Sequence, residues 1–109
     1  MRPPAVSVIT VCRNAKTDLL KTQDSIYCQD FPDFEWIVID GSSSDGTLDL
    51  LNGITDSRVK WISEPDTGIY DAMNKGLYLA TGEVVAFLNA DDVYADSRVI
   101  SDYVASMAD

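Results

Sequence analysis

Val84-Val85-Ala86-Phe87-Leu88 runs directly into Asn89-Ala90-Asp91-Asp92. Five apolar residues in a row, opened by Gly82-Glu83, read as a strand buried on both faces, the mark of a parallel sheet covered by helices. Two adjacent carboxylates just beyond it fall at the strand's C-terminal end, where open α/β sheets bind ligands. Crowded carboxylates repel one another unless a cation or proton lies between them. Hard oxygen donors on a short turn suit Mg²⁺ or Mn²⁺, so Asp91 and Asp92 are the candidate metal ligands. An acidic turn that caps the following helix is the plainer reading.

A second strand ends the same way. Phe34-Glu35-Trp36-Ile37-Val38-Ile39-Asp40 stops at an aspartate and is followed by Gly41-Ser42-Ser43-Ser44-Asp45-Gly46-Thr47. Small side chains there let a ligand approach the backbone, although turns use the same residues. Asp45 reads first as an N-cap for a short helix carrying Leu48, Leu51 and Ile54.

The remaining elements follow by period. Ala5 to Cys12 is rich in β-branched residues and reads as a first strand. A helix is expected from about Asp18 to Gln29, with Leu19, Thr22 and Ile26 inward and Phe31-Pro32 ending it. Arg58 to Ser63 reads as a third strand nearer the sheet edge. Ile69, Ala72, Met73, Gly76, Leu77 and Ala80 repeat at the spacing of one helical face. A last helix carries Val99, Ile100, Tyr103, Val104 and Met107. Trp36 and Trp61 are expected in the core, and Tyr70 and Tyr78 in packing or at the surface. The order βαβαβαβα predicts a Rossmann-like three-layer α/β domain with a parallel sheet, spanning residues 1–109 as one unit. If the last strand lies at an edge, its apolar border stays open, and either another segment covers it or two chains pair there as a homodimer.

Composition narrows the functions. The chain has 109 residues, 46% hydrophobic, enough for one small core. It has no histidine, which removes imidazole acid–base and nucleophile-activation schemes. Eighteen acidic against eight basic residues give a net charge of −10, so nucleic acid and anionic lipid are excluded as direct partners. No apolar run is long enough to span a bilayer, and no signal-peptide pattern opens the chain. Cys12 and Cys28 are expected as buried free thiols in a reducing cytoplasm.

Four blocks in order, VSVITVCRN (residues 6–14), FEWIVIDGSSSDGT (34–47), EPDTGIYDAMNKG (64–76) and GEVVAFLNADD (82–92), resemble the family 2 inverting glycosyltransferases of GT-A fold. The resemblance covers nearly the whole chain. It implies the nucleotide-binding N-terminal half of such an enzyme, with the catalytic base in an acceptor-binding half that follows in the family. None of the present residues is therefore assigned as catalytic, and this chain alone is expected not to transfer sugar.

By position, the resemblance implies that Thr10, Val11, Arg13 and Asn14 line a nucleoside pocket and that Asp40 accepts a hydrogen bond from the base. A carboxylate there suits the ring N–H of uracil, and of guanine second, better than the acceptor nitrogen of cytosine or adenine. Asp91 would hold the metal bridging the two phosphates, with Asn89 and Asp92 beside it. Asp66 and the helix starting near Gly68 would close the pocket with amides facing the diphosphate. The implied partner is a nucleotide-diphosphate sugar, UDP-linked by preference, and the implied product a polysaccharide or glycolipid.

The chain departs from the family's common pattern in four places. Arg13 stands for an aromatic, Gly41 for a second aspartate, Met73 for an arginine that Lys75 could replace, and Asn89 for the first metal-motif aspartate. Two other classes fit the length and acidity: a receiver-like Mg²⁺-binding module and a non-catalytic remnant of the fold. The receiver type keeps a lysine at a late strand end, which is lacking here.

Overall fold

The computed structural model describes residues 3–90, 94 and 96–106. Eight elements alternate: β1 (Val6–Cys12), α1 (Lys16–Tyr27), β2 (Phe34–Asp40), α2 (Thr47–Asn52), β3 (Val59–Ser63), α3 (Ile69–Leu79), β4 (Val84–Phe87) and α4 (Val99–Ser106). The strands form one sheet in the order β3-β2-β1-β4, every pair parallel. This is the Rossmann-like α/β architecture that the alternation predicts.

Strand alternation sends successive side chains to opposite faces, and the two cores obey it. Val6, Val8, Phe34, Trp36 and Val38 face α1, α2 and α4 through Leu19, Ile26, Leu51 and Ile100. Ile9, Ile37 and Ile39 face α3 through Ala72. The sheet is thus the middle of three layers. β1 and β2 lie in its centre and are buried along their length, apart from half-buried Val11. Trp36 is fully buried because its indole N–H has a partner, donating to the Thr10 hydroxyl at 2.9 Å.

Several expectations are corrected. β4 ends at Phe87 and is only half-buried, with Phe87 42% exposed, because it pairs with β1 alone and forms the edge. α1 begins at Lys16, before Asp18, because Asp45 reaches across from the β2–α2 loop and accepts the Lys16 amide at 3.1 Å. Its inner stripe is Leu19, Thr22 and Ile26, as the period predicts. On α3 only Ala72 and Gly76 are buried, and Ile69 and Leu77 are 49% and 45% exposed. Two small residues let the helix lie so close to Ile9 that the larger ones are pushed to its flanks. Cys28 is exposed, since it sits at the C-cap of α1, while Cys12 is buried; both are free thiols. Trp61 is half-buried on edge strand β3, and Tyr70 and Tyr78 are exposed. Met107 lies outside the described residues.

The order of strands positions the site. The chain steps outward from β1 to β2 to β3 and then returns across the sheet to β4 on the other side of β1. Helices leave in opposite directions at that reversal, so a crevice opens beyond the C-terminal end of β1.

Candidate functional site: a cleft at the end of β1

Two adjoining hollows share Val11, Cys12, Arg13 and Ile69 as walls. One, of about 320 Å³, adds Asp66, Gly68 and Ala72. The other, of about 460 Å³, adds Asn14, Ala15, Asp18, Asn89 and Ala90. Larger hollows occur between α1 and α2 and at the opposite end of the sheet, away from the strand ends. We place the site in the cleft because it gathers the loops after β1, β3 and β4.

Of the residues expected there, Val11, Arg13, Asn14, Asp66, Gly68 and Asn89 line the cleft. Thr10 does not. Its side chain is wholly buried, donating to the Leu88 carbonyl at 2.6 Å and accepting from Trp36. Strand alternation turns it into the core beneath α1, one pleat below the mouth. Asp91 and Asp92, the expected metal ligands, lie outside the described residues.

Asp40 is fully buried, and four donors fill its two oxygens. Oδ1 accepts the Ser43 hydroxyl in a very short bond and the Cys12 thiol at 3.4 Å. Oδ2 accepts the Ser43 amide at 2.9 Å and the Ser63 hydroxyl at 2.7 Å. Register explains the convergence, since Cys12 and Ser63 are the pairing partners of Asp40 on either side. Burial first, then the Asp40 carboxylate, push the Cys12 thiol far up, so it stays a protonated donor. Ser43 also accepts the Asn14 amide at 2.7 Å, and Asn14 Oδ1 accepts the Ser44 amide at 2.7 Å. Asn14 has a left-handed backbone (φ 49°), which asparagine tolerates. Asp40, Ser43 and Asn14 together fasten the Gly/Ser loop to the end of β1.

Among the described aspartates expected at the site, the one that lines the cleft is Asp66. A Cβ placed on Gly41 would come within 2.8 Å of Asp66 Oδ2 and 3.6 Å of Arg13 Cδ. Asp66 therefore fills the space that a side chain at position 41 would take, and the glycine leaves room for it. Oδ1 accepts the Gly68 amide at 3.1 Å, closing a tight turn in which Gly68 adopts φ +134°, a conformation open to glycine. Asp71 accepts the Thr67 amide at 3.0 Å. Two carboxylates thus already compensate the positive end of α3, which disfavours a diphosphate at that spot. Lys75 is drawn into the same turn, 3.1 Å from Glu64 and donating to the Pro65 carbonyl at 2.8 Å.

Sequence reasoning missed Asp18, Ile69 and Ala72 as lining residues. Ile69 and Ala72 carried an apolar periodicity that pointed to core alone, and Asp18 entered only as the expected start of the first helix.

The resemblance to the GT-A glycosyltransferases implies a divalent cation. Among the described residues no group of three or more His, Cys, Asp or Glu side chains is placed to hold one. What they supply is Asn89, half-buried on the cleft wall. With Asp91 and Asp92 following, the donors available are amide and carboxylate oxygens with no imidazole. That set fits a hard cation such as Mg²⁺ or Mn²⁺.

Residues 7–109 match the profile of glycosyl transferase family 2, and the chain belongs to that family. Membership sets aside the receiver-like alternative. An uncharacterized glycosyltransferase of Mycobacterium tuberculosis is 38% identical over 106 residues, covering 96% of this chain and 40% of the relative. The UDP-Glc:α-D-GlcNAc-diphosphoundecaprenol β-1,3-glucosyltransferase WfaP of Escherichia coli is 35% identical over 95 residues, covering 86% of this chain and 38% of WfaP. Among solved structures, a mannosyltransferase from Pyrobaculum calidifontis, in complex with GDP-Man and Mn²⁺, superposes with a TM-score of 0.88 at 29% identity. That match covers all of this chain and 34% of the mannosyltransferase. The chain thus spans about two fifths of the length of the curated relatives it matches.

Proposed function

We propose that the cleft binds the nucleoside diphosphate of a sugar donor, UDP before GDP, together with Mn²⁺ or Mg²⁺, as the donor-binding part of a glycosyltransferase making a polysaccharide or glycolipid. The observation that carries this reading is Asp66 Oδ2 presented over Gly41, beside the Arg13 side chain, at the sheet's switch point. A planar base enters between the Arg13 guanidinium and the apolar wall of Val11, Ile69 and Ala72. The guanidinium stacks on it, as an aromatic would. Asp66 accepts the ring N–H of uracil or guanine, a role that Asp40 is too buried and too fully bonded to fill.

The diphosphate lies toward Asn89, away from the Asp66–Asp71 end of α3. A protein of net charge −10 needs a counter-charge there. A cation held there would supply charge neutralisation to the leaving diphosphate. Asp91 and Asp92 would hold that cation, with the Asn89 side-chain carbonyl beside them, and Arg13 adds a local positive charge. None of these groups is assigned as the base that activates the acceptor. WfaP's UDP-Glc and lipid-linked acceptor, and the mannosyltransferase's GDP-Man and Mn²⁺, support the donor class, the metal and the product class. Among the described residues no helix is long and apolar enough to cross a membrane. Two free thiols suit the reducing cytoplasm in which we place the protein.

Calorimetry with UDP and CDP in Mn²⁺ buffer tests the assignment. The unaltered chain should prefer UDP by roughly tenfold or more, the worth of one charge-assisted hydrogen bond. Asp66→Asn, which can offer an N–H instead, should bring the ratio near one. A ratio unchanged in Asp66→Asn would return base reading to another group.

A further inference from the structure

We propose that three polar residues, Thr22 and Ser25 on α1 and Gln29 just past its C-terminal end, position the segment that carries Asp91 and Asp92. The proposal rests on the metal reading above and names the residues that place the metal-bearing loop. Beyond Phe87 the chain leaves the sheet, and its backbone polar groups need new partners. Thr10 takes the Leu88 carbonyl, and the Leu88 amide still donates to the Ile9 carbonyl at 2.9 Å. From there α1 takes over. The Thr22 hydroxyl donates to the Ala90 carbonyl at 2.9 Å, with a longer contact of 3.5 Å to that of Asn89. Ser25 Oγ accepts the Tyr94 amide at 3.3 Å. Gln29 Nε2 donates to the Asp96 carbonyl at 2.6 Å, while its Oε1 accepts the Ile100 amide at 2.9 Å and so caps the start of α4. The Asp30 amide adds a bond to the Ser97 carbonyl at 2.7 Å.

Thr22 and Ser25 lie on one face of α1, and Gln29 follows just past the Cys28 C-cap, its Nε2 within 3.4 Å of the Ser25 carbonyl, so α1 and its C-terminal end hold both flanks of the Asp91–Asp92 pair. Thr22 is fully buried on an otherwise apolar stripe, between Leu19 and Ile26. A valine of the same shape would pack as well for the fold alone. The hydroxyl is explained by the carbonyls it holds in place just before Asp91. These three are positioning residues: they touch no ligand and act through the backbone of the loop.

The test compares UDP affinity with Mn²⁺ and with chelator, by calorimetry, alongside thermal unfolding. In the unaltered chain Mn²⁺ should tighten binding tenfold or more. Thr22→Val should lose most of that enhancement while its affinity in chelator stays within twofold, and Thr22→Ser, which keeps the hydroxyl, should restore it. Ser25→Ala, losing the acceptor for the Tyr94 amide and a local bond to the Thr22 carbonyl at 3.1 Å, should reduce the enhancement about threefold, and it decides the matter if Thr22→Val does not fold. Full enhancement in Thr22→Val, or in Ser25→Ala when that variant decides, overturns the positioning role while leaving the metal reading standing. An unaltered chain with no enhancement overturns the metal reading and this proposal with it.

Discussion

Four donors converge on Asp40, and that makes the residue a structural joint between β1, β2 and β3. Replacing it by Asn keeps the shape but turns one acceptor into an N–H facing the Ser43 or Ser63 donor. The expected cost is about 2–4 kcal/mol, the range for breaking a buried hydrogen-bonded charge. Urea unfolding of Asp40→Asn measures it, and a change in unfolding free energy under about 0.5 kcal/mol would argue against the joint. Asp66, with one oxygen at the cleft, should tolerate the same exchange with little loss of stability. The sequence distinguishes these two aspartates poorly. Each follows an extended segment and precedes a glycine within two positions, and both resemble ligand-binding acids. What separates them is the donors supplied by Cys12 and Ser63, which reach Asp40 only through strand register. The exchange at position 41 was legible as a lost carboxylate, but that Asp66 fills the same space is a three-dimensional fact.

At the scale of elements, the opposite end of the sheet is held by a second buried carboxylate. Glu35, 5% exposed, accepts the Ser7 hydroxyl at 2.5 Å and the Thr81 amide at 2.6 Å, and pairs with Lys60 at 2.7 Å. It ties β1, β2 and β3 to the turn before β4. Burial alone would raise its carboxyl, but Lys60, Ser7 and Thr81 outweigh burial and bring it to about 2, against an ordinary 4.5. A depressed folded value means that the stabilisation is complete above pH 4.5 and drains away as pH falls from there toward 2. The loss should be on the order of 2 kcal/mol, since the Lys60 partner is partly solvated. Thermal unfolding of the chain and of Glu35→Gln across pH 2–6 tests this, and parallel curves would refute it. Glu35 sits inside a strand whose period was plain, yet its role was not legible, because Thr81 and Lys60 come from distant turns and strands. The early start of α1 has the same origin: the carboxylate that accepts its first amide, Asp45, belongs to another loop.

The whole molecule was the easiest scale to read. Alternating strands and helices of regular length allow few arrangements in a short chain, and the parallel three-layer fold follows from the period alone. The order β3-β2-β1-β4 was not contained in that period, and it is the order that opens the cleft beside β1 and leaves β4 at the edge. Half-buried β4 shows the limit of the inference, because an apolar run looks alike at an edge and in the centre. The chain belongs to glycosyl transferase family 2, and in the proposed function the molecule's acidity makes a cation the link between the cleft and a donor nucleotide. The most direct test is calorimetry of UDP binding to the unaltered chain and to Asp91→Asn, each with Mn²⁺ and with chelator. We expect Mn²⁺ to tighten binding by the unaltered chain at least tenfold and to do little for Asp91→Asn. Equal affinity of the unaltered chain in Mn²⁺ and in chelator would contradict a metal-assisted nucleotide site.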